Sequence, residues 1–292
     1  MKIIVTGSLG NISKPLAQDL VQQGHEIVVI SNSQEKQKDI EALGATAAIG
    51  SVESVDFLAA LSGADSVYTM IPPNFAVPDP VAYYEIIGNS YAKAIKQSGI
   101  KRVVHLSSWS AHLPKGTGII VGSHRVELIL NELTDIAVTY LRPCSFYNNL
   151  YHYVDMIKSA GFMGTNYGGD DKVVLVSAKD IAAAALEEIV SQTTGNKIRY
   201  IASDERTCHE IAKVLGIAIG KPDLKWLTFT SEQVKETMEK NGVPSSIAAK
   251  LVELNASIRS GAIQEDYDLH QPVVMGKVKL EDFATEFAAA FK

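Results

Sequence analysis

At 292 residues the chain is long enough for one large domain, or for a medium domain with a smaller companion, and it can bury a core without covalent staples. Cys144 and Cys208 form no Cys-x-x-Cys pair, which argues against a disulfide framework and a structural zinc site; 27 basic against 33 acidic residues, a formal charge of −6 with no Lys/Arg block, argue against nucleic acid as a partner. No stretch approaches the roughly 18 apolar residues of a membrane span, and the first apolar run is too short for a signal peptide, so a cytoplasmic protein with no membrane and no metal is expected.

Short β-branched runs alternate with helical patterns through the first half, at residues 3–6, 26–30, 46–49, 66–71, 102–106 and 137–141. Runs this apolar suit strands covered on both faces, so the pattern predicts a parallel sheet with helices on each side. Gly24 and Gly99 stand where a helix-terminating glycine belongs. Between them Val81, Tyr84, Ile87, Tyr91 and Ile95 recur at helical spacing and predict one long helix with its apolar stripe on the sheet. Beyond about residue 145 glycines punctuate a looser stretch. Strands are then predicted at 172–176 and 197–202, and Ser177-x-x-Asp180 reads as a capping box opening an alanine-rich helix. The last ninety or so residues predict three or four helices around a short strand at 224–229, one of them carrying Ile247, Leu251, Leu254 and Ile258 and closed by Gly261. The fold class is therefore α/β, a Rossmann-type doubly wound parallel sheet with a smaller, mainly helical C-terminal lobe. Its expected boundaries are 1–148 for the first domain and 149–292 for a substrate or cap lobe, with 172–202 folding back onto the first sheet.

Residues 6–13, Thr-Gly-Ser-Leu-Gly-Asn-Ile-Ser, lie between the first strand and a helix, the context that a dinucleotide fingerprint needs. Gly7 permits the tight turn. Gly10 lets the backbone approach a pyrophosphate at the positive end of the helix, with Leu9, Asn11 and Ile12 completing the turn. The third position, usually a glycine that allows close helix packing, is Ser13. At the end of the second strand the adenosine ribose would meet Ser31-Asn32-Ser33, where no acid stands to repel a 2′-phosphate; Lys36 is nearby. NADP(H) is therefore favoured over NAD(H), although Asn32-x-x-Glu35 reads equally as a plain capping box. Ile71 and Pro72 begin a proline-rich loop after the fourth strand that can cover the coenzyme. Ser107 and Ser108 end the fifth strand at the sheet edge where α/β proteins bind ligands.

Residues 102–108 (Arg-Val-Val-His-Leu-Ser-Ser), 122–127 (Gly-Ser-His-Arg-Val-Glu) and 141–149 (Leu-Arg-Pro-Cys-Ser-Phe-Tyr-Asn-Asn), together with the glycine turn, resemble the NmrA-like, atypical branch of the short-chain dehydrogenase/reductase superfamily. The resemblance covers most of the chain. It implies that Ser107, His124 and Pro143 border the nicotinamide, that Phe146 and Asn149 face the substrate, and that a smaller lobe closes over the cleft. Tyr147 joins the substrate set as part of an aromatic wall with Phe146, Tyr151 and Tyr167.

The chain departs from the superfamily at its acid catalyst. None of the eleven tyrosines has a lysine four residues later, so the tyrosine–lysine pair of ordinary members is absent. His124 is left as the candidate catalytic group, either donating a proton or binding the nicotinamide ribose. Glu127 reads as an exposed helix charge or as a partner orienting His124, and Arg142 as a structural tie to a carboxylate. Two functions remain: an NAD(P)H-dependent oxidoreductase of a small, electron-poor, quinone-like substrate, or a non-catalytic NAD(P)-binding redox sensor with a regulatory protein partner.

Overall fold

The computed structural model describes residues 1–52 and 55–291. In chain order its elements are β1 (Lys2–Val5), α1 (Ser13–Gln22), β2 (Glu26–Ser31), α2 (Gln37–Ala42), β3 (Thr46–Ile49), α3 (Val55–Leu61), β4 (Ser66–Met70), α4 (Pro80–Ser98), β5 (Arg102–Leu106), α5 (Val121–Asn131) and β6 (Ala137–Pro143). There follow β7 (Ser145–Phe146), α6 (Val154–Ala160), β8 (Met163–Thr165), β9 (Lys172–Val176), α7 (Ala178–Ile189), β10 (Lys197–Ile201), β11 (Asp204–Thr207), α8 (Cys208–Ala218), β12 (Trp226–Thr228), α9 (Ser231–Lys240), α10 (Ser245–Arg259), α11 (Glu265–Leu269) and α12 (Leu280–Phe287).

Seven strands form one sheet in the order β3-β2-β1-β4-β5-β6-β10. Every neighbouring pair from β3 to β6 is parallel. This is the Rossmann order: the chain crosses from β3 back to β4 on the far side of β1, leaving a switch point between β1 and β4 at the carboxyl ends of the strands. The strands are apolar throughout because helices cover them: Ile3, Ile4, Val5, Val67, Val103, Val104 and Val138 are wholly buried. His105 lies in the middle of that core with Nδ1 at 2.9 Å from Thr69 Oγ1, and burial pushes its imidazole down to about 3, so it is neutral there.

The chain divides into two compact units, the first comprising residues 1–111, 122–142 and 181–199, the second 112–121, 143–180 and 200–292. In the first, α4 starts at a full cap: Asp79 accepts from the Val81 and Ala82 amides, Pro80 takes the first helical position, and Gly99 ends the helix at φ 78°. Gly88 and Gly122 let α4 and α5 approach closely, since a Cβ on Gly122 would come within 2.8 Å of Tyr84. In the second, β9 lies between β11 and β7 in a three-stranded sheet, and β8 pairs with β12. Around them Tyr147, Leu150, Met163, Tyr167, Trp226, Phe283 and Phe287 share one apolar core. Among the described residues five α-helices follow β11, more than the pattern predicts, because α11 is a single short turn of helix without a periodic stripe.

The expected capping box at Ser177 and Asp180 is not made. Ser177 Oγ accepts from the Lys179 amide, while the Asp180 carboxylate takes Ser203 Oγ at 2.6 Å and the Lys277 and Val278 amides. Reciprocal boxes form instead at Thr207/Glu210 and Thr230/Gln233.

Candidate functional site

The glycine turn leaves β1 at its carboxyl end, and its two glycines are there for different reasons. Gly7 has φ 87°, and a Cβ on it would meet Ser13 Oγ at 2.7 Å and Met70 Cγ at 2.9 Å. Protein fills that space. At Gly10 a Cβ would meet only the Gly7 carbonyl, at 3.1 Å, and the residue is exposed. Ser13 stands where a third glycine would be, and donates its hydroxyl to the Thr6 carbonyl at 2.8 Å, so the polar group is satisfied while α1 stays close to β1. No side chain caps the amides at the start of α1, whose first residue after Ile12 is Ser13. Asn11 is exposed, Leu9 half-buried and Ile12 buried. The turn is tied to β4 as well: Thr6 Oγ1 accepts from the Met70 amide, and the Tyr91 hydroxyl donates to the Met70 carbonyl.

Ser8 links this turn to the tip of β2. It adopts φ 54°, its amide donates to the Ile30 carbonyl, and its hydroxyl donates to Ser31 Oγ at 2.9 Å. Ser31 is buried, and its Oγ also accepts from the Ser33 amide. The tip therefore holds Ser31 inside and leaves Asn32 exposed and Ser33 half-buried, with no acid among the three. The capping box at Asn32 and Glu35 is absent; the short helical turn there starts from Ser33 without a side-chain cap. Lys36 is exposed and paired loosely with Asp39 at 3.8 Å. Beyond β4, Ile71 is buried with its carbonyl accepting from the Tyr84 hydroxyl, and Pro72 is exposed.

At the carboxyl end of β5, Ser107 is buried and Ser108 half-buried. Ser107 Oγ donates to Glu127 Oε1 at 2.5 Å, and Arg142 donates to both oxygens of the same carboxylate, from Nε at 3.0 Å and from Nη2 at 2.6 Å. Glu127 is thus neither an exposed helix charge nor a partner of His124. Its side chain points into the sheet end because Arg142, on β6, is there to neutralise it. His124, one helical turn earlier, has Nδ1 at 2.8 Å from the Ala111 carbonyl. A carbonyl only accepts, so Nδ1 carries a proton, which leaves Nε2 as the ring atom open to a ligand.

The remaining candidates belong to the second unit. Pro143 is buried, Phe146 half-buried and Asn149 exposed. Tyr147 is 1% exposed, stacks on Phe283 at 5.1 Å and donates its hydroxyl to the Val278 carbonyl, so it offers a substrate no free surface. Tyr151 packs on Phe283 and Phe287, and Tyr167 on Trp226. Tyr147 and Tyr167 are buried in the unit's core and Tyr151 packs half-buried against it, so of the expected aromatic wall Phe146 and Tyr151 keep open surface. Among the described residues there is no group of three or more His, Cys, Asp or Glu side chains suited to a metal, and no helix long and apolar enough to cross a membrane.

A profile of the NmrA-like family matches residues 1–284. The chain belongs to the NmrA-like family. An NAD(P)H azoreductase of Xenophilus azovorans is 27% identical over 99% of both chains. A (4-alkanoyl-5-oxo-2,5-dihydrofuran-3-yl)methyl phosphate reductase of Streptomyces griseus is 24% identical over 75% of this chain and 74% of its own. Among solved structures, the Citrobacter triphenylmethane reductase complexed with NADP(H) superposes with a TM-score of 0.80 at 20% identity, covering 99% of this chain and 100% of that one. An NADPH-dependent quinone oxidoreductase of Escherichia coli gives 0.79 at 19% identity over 98% and 99%. At that identity the two structures show that this chain shares their fold.

Proposed function

We propose that this NmrA-like chain binds a nicotinamide dinucleotide at the 6–13 turn and reduces small, electron-poor acceptors of the quinone and azo-dye class, with NADP(H) favoured over NAD(H). The observation that carries the reading is the contrast within the turn. Gly7 is closed by protein, whereas Gly10 is exposed at the start of a helix that no side chain caps, the arrangement a pyrophosphate needs. The full-length match to an NAD(P)H azoreductase supports the substrate class.

When bound, a reduced nicotinamide supplies the hydride. The chain's own residues then bind and orient. Leu9, Gly10, Asn11 and Ile12 hold the pyrophosphate in the turn that Gly7 shapes, and Asn32 and Ser33, on the tip that Ser31 braces, receive the adenosine ribose and its 2′-phosphate. Ile71, Pro72, Ser107, Ser108 and Pro143 border the rest of the coenzyme. Phe146 and Asn149 face the acceptor. His124 keeps Nδ1 on the Ala111 carbonyl, which aims Nε2 as a positioning contact for a hydroxyl of the coenzyme or acceptor. A quinone or azo acceptor suits such a site, because it takes its proton from water after the hydride has arrived. A simple ketone does not, because it needs an acid during the transfer.

The test is oxidation of NADPH and of NADH by the purified protein across quinones, azo dyes and simple ketones. Turnover of the first two classes without the third is the expected result. Tight coenzyme binding with no turnover of any acceptor replaces the reductase by a coenzyme-reporting regulator, and failure to bind either coenzyme removes both.

A further inference from the structure

Glu127 is 6% exposed, and three N–H or O–H donors converge on its carboxylate. Two come from Arg142 and one from Ser107. A serine hydroxyl has a single proton and two lone pairs. With the proton held at 2.5 Å by Glu127, Ser107 Oγ can offer anything else only its lone pairs. The carboxylate has little freedom to release it. Arg142 grips both oxygens side-on, a geometry that fixes the plane of the group. The main chain is fixed too: the Ser107 amide donates to the Leu141 carbonyl at 2.8 Å, and the Tyr140 hydroxyl lies 3.2 Å from the Glu127 carbonyl. Burying a carboxylate and a guanidinium is costly unless every group is paired, and a hydrophobic pair would hold the helix to the sheet at least as well. The arrangement does something that a hydrophobic pair would not, which is to set the direction of one hydroxyl at the carboxyl end of β5.

We infer that Glu127 is a positioning residue, clamped by Arg142, that withdraws the Ser107 proton and makes this hydroxyl a fixed hydrogen-bond acceptor for an N–H or O–H donor at the nicotinamide end of the coenzyme. The inference rests on the reading of this chain as a nicotinamide-dependent reductase. Two groups of the coenzyme have that chemistry, the carboxamide N–H and the ribose hydroxyls. Ser107 in this state cannot give a proton to the acceptor. Glu127 and Arg142 act only through it.

The experiment compares wild type with Ser107→Ala, Ser107→Thr and Glu127→Gln. Coenzyme dissociation constants come from NADPH fluorescence, kcat and KM from acceptor turnover, and folding from melting without coenzyme. Ser107→Ala should stay folded with a lower melting point, since Glu127 loses one of its donors, and weaken NADPH about tenfold, the scale of one hydrogen bond to a fixed partner. Ser107→Thr keeps the hydroxyl and should restore binding. Glu127→Gln puts an amide that can also donate in place of an acceptor-only group, so it should weaken NADPH comparably in the folded protein. If Glu127→Gln does not fold, the two serine variants still decide. A 3-acetylpyridine analogue of NADP, which lacks carboxamide N–H groups, separates the two donors. Loss of the wild-type preference for NADP over the analogue in Ser107→Ala identifies the carboxamide; equal weakening of both identifies the ribose. Unchanged affinity and kinetics in Ser107→Ala, in a wild type that binds coenzyme, overturn the inference alone. A wild type that binds neither coenzyme overturns the inference and the reading beneath it.

Discussion

Two carboxylates buried in the first unit invite comparison, Glu127 on α5 and Glu188 on α7. Both take an arginine from the sheet. Arg142 stands at the carboxyl end of β6, whereas Arg102 is the first residue of β5, in register with Ala137, the first of β6. The strands are parallel, so the two ion pairs lie at opposite ends of the sheet. Glu188 is enclosed by cations and hydroxyls: Lys197 Nζ at 2.7 Å, Arg199 Nη1 at 3.0 Å, Arg102 Nη2 at 3.2 Å and Thr139 Oγ1 at 3.3 Å. Each of these comes from the sheet itself. Glu127 instead holds one guanidinium and a serine hydroxyl whose lone pairs are not used by the pair. On the proposed reading similar chemistry thus serves different ends, and what separates them is strand direction, since parallel sheets receive ligands at their carboxyl ends.

If that division is right, damage at the amino end should appear in stability and damage at the carboxyl end in ligand binding. The largest effect belongs to Glu188→Ala, which takes the carboxylate from buried Arg102 while leaving its bonds to the residue-188 carbonyl and Thr139, and should cost about 3 kcal/mol in denaturant unfolding with coenzyme affinity unchanged. Burial alone would raise the Glu188 carboxyl, but hydrogen bonds and charge from Lys197 and Arg199 outweigh it and hold the group below its ordinary value. Its stabilisation is therefore complete above the ordinary carboxylate range and disappears as the pH falls through the lowered value. The variant should lack that acid limb. A fall in coenzyme affinity in folded Glu188→Ala would break the comparison.

At the other end Gly10→Val should lower coenzyme affinity more than about hundredfold in a protein that melts near wild type, because the side chain occupies pyrophosphate space and little else. Gly7→Ala should do the reverse and destabilise the fold, since the position combines φ 87° with a filled neighbourhood. Smaller again is His124→Ala, expected to lower kcat by roughly tenfold to hundredfold, as for a lost positioning contact. Near-complete loss would mean that the imidazole carries the proton after all.

These two ends were not equally readable from the chain. The strands and the glycine turn were legible because their signals are local: apolar runs of strand length, and glycines at fixed offsets between a strand and a helix. Arg142 was readable as a tie to some carboxylate. That the partner is Glu127 was not, because the pair joins α5 to β6 across 15 residues and depends on how the helix rotates onto the sheet. The Asp180 side chain misled for the same reason, its amide partners lying about a hundred residues further on. The aromatic residues between 147 and 167 misled in another way. Tyr147 and Tyr167 read as part of a wall facing a ligand, but a unit whose sheets have two and three strands needs large rings to fill its core.

The smallest expected effect is also the one that decides how far the ligand-facing end of the sheet extends. At the tip of β2 Ser31 spends its hydroxyl on Ser8 and Ser33, and Lys36 has Asp39 beside it, so Asn32 is the exposed polar group on which a ribose substituent can be read. Asn32→Asp places a carboxylate there without changing size. Against a 2′-phosphate it is a like-charge contact, while to a free 2′-hydroxyl it is an acceptor, so NADPH should weaken about tenfold while NADH holds or improves. Dissociation constants for both coenzymes at low and high salt provide the check. Because the site is exposed, the penalty on NADPH should shrink as salt screens it. A variant that weakens both coenzymes equally, at either salt concentration, would show that the ribose is read elsewhere and would confine the ligand-facing end to β1, β4, β5 and β6.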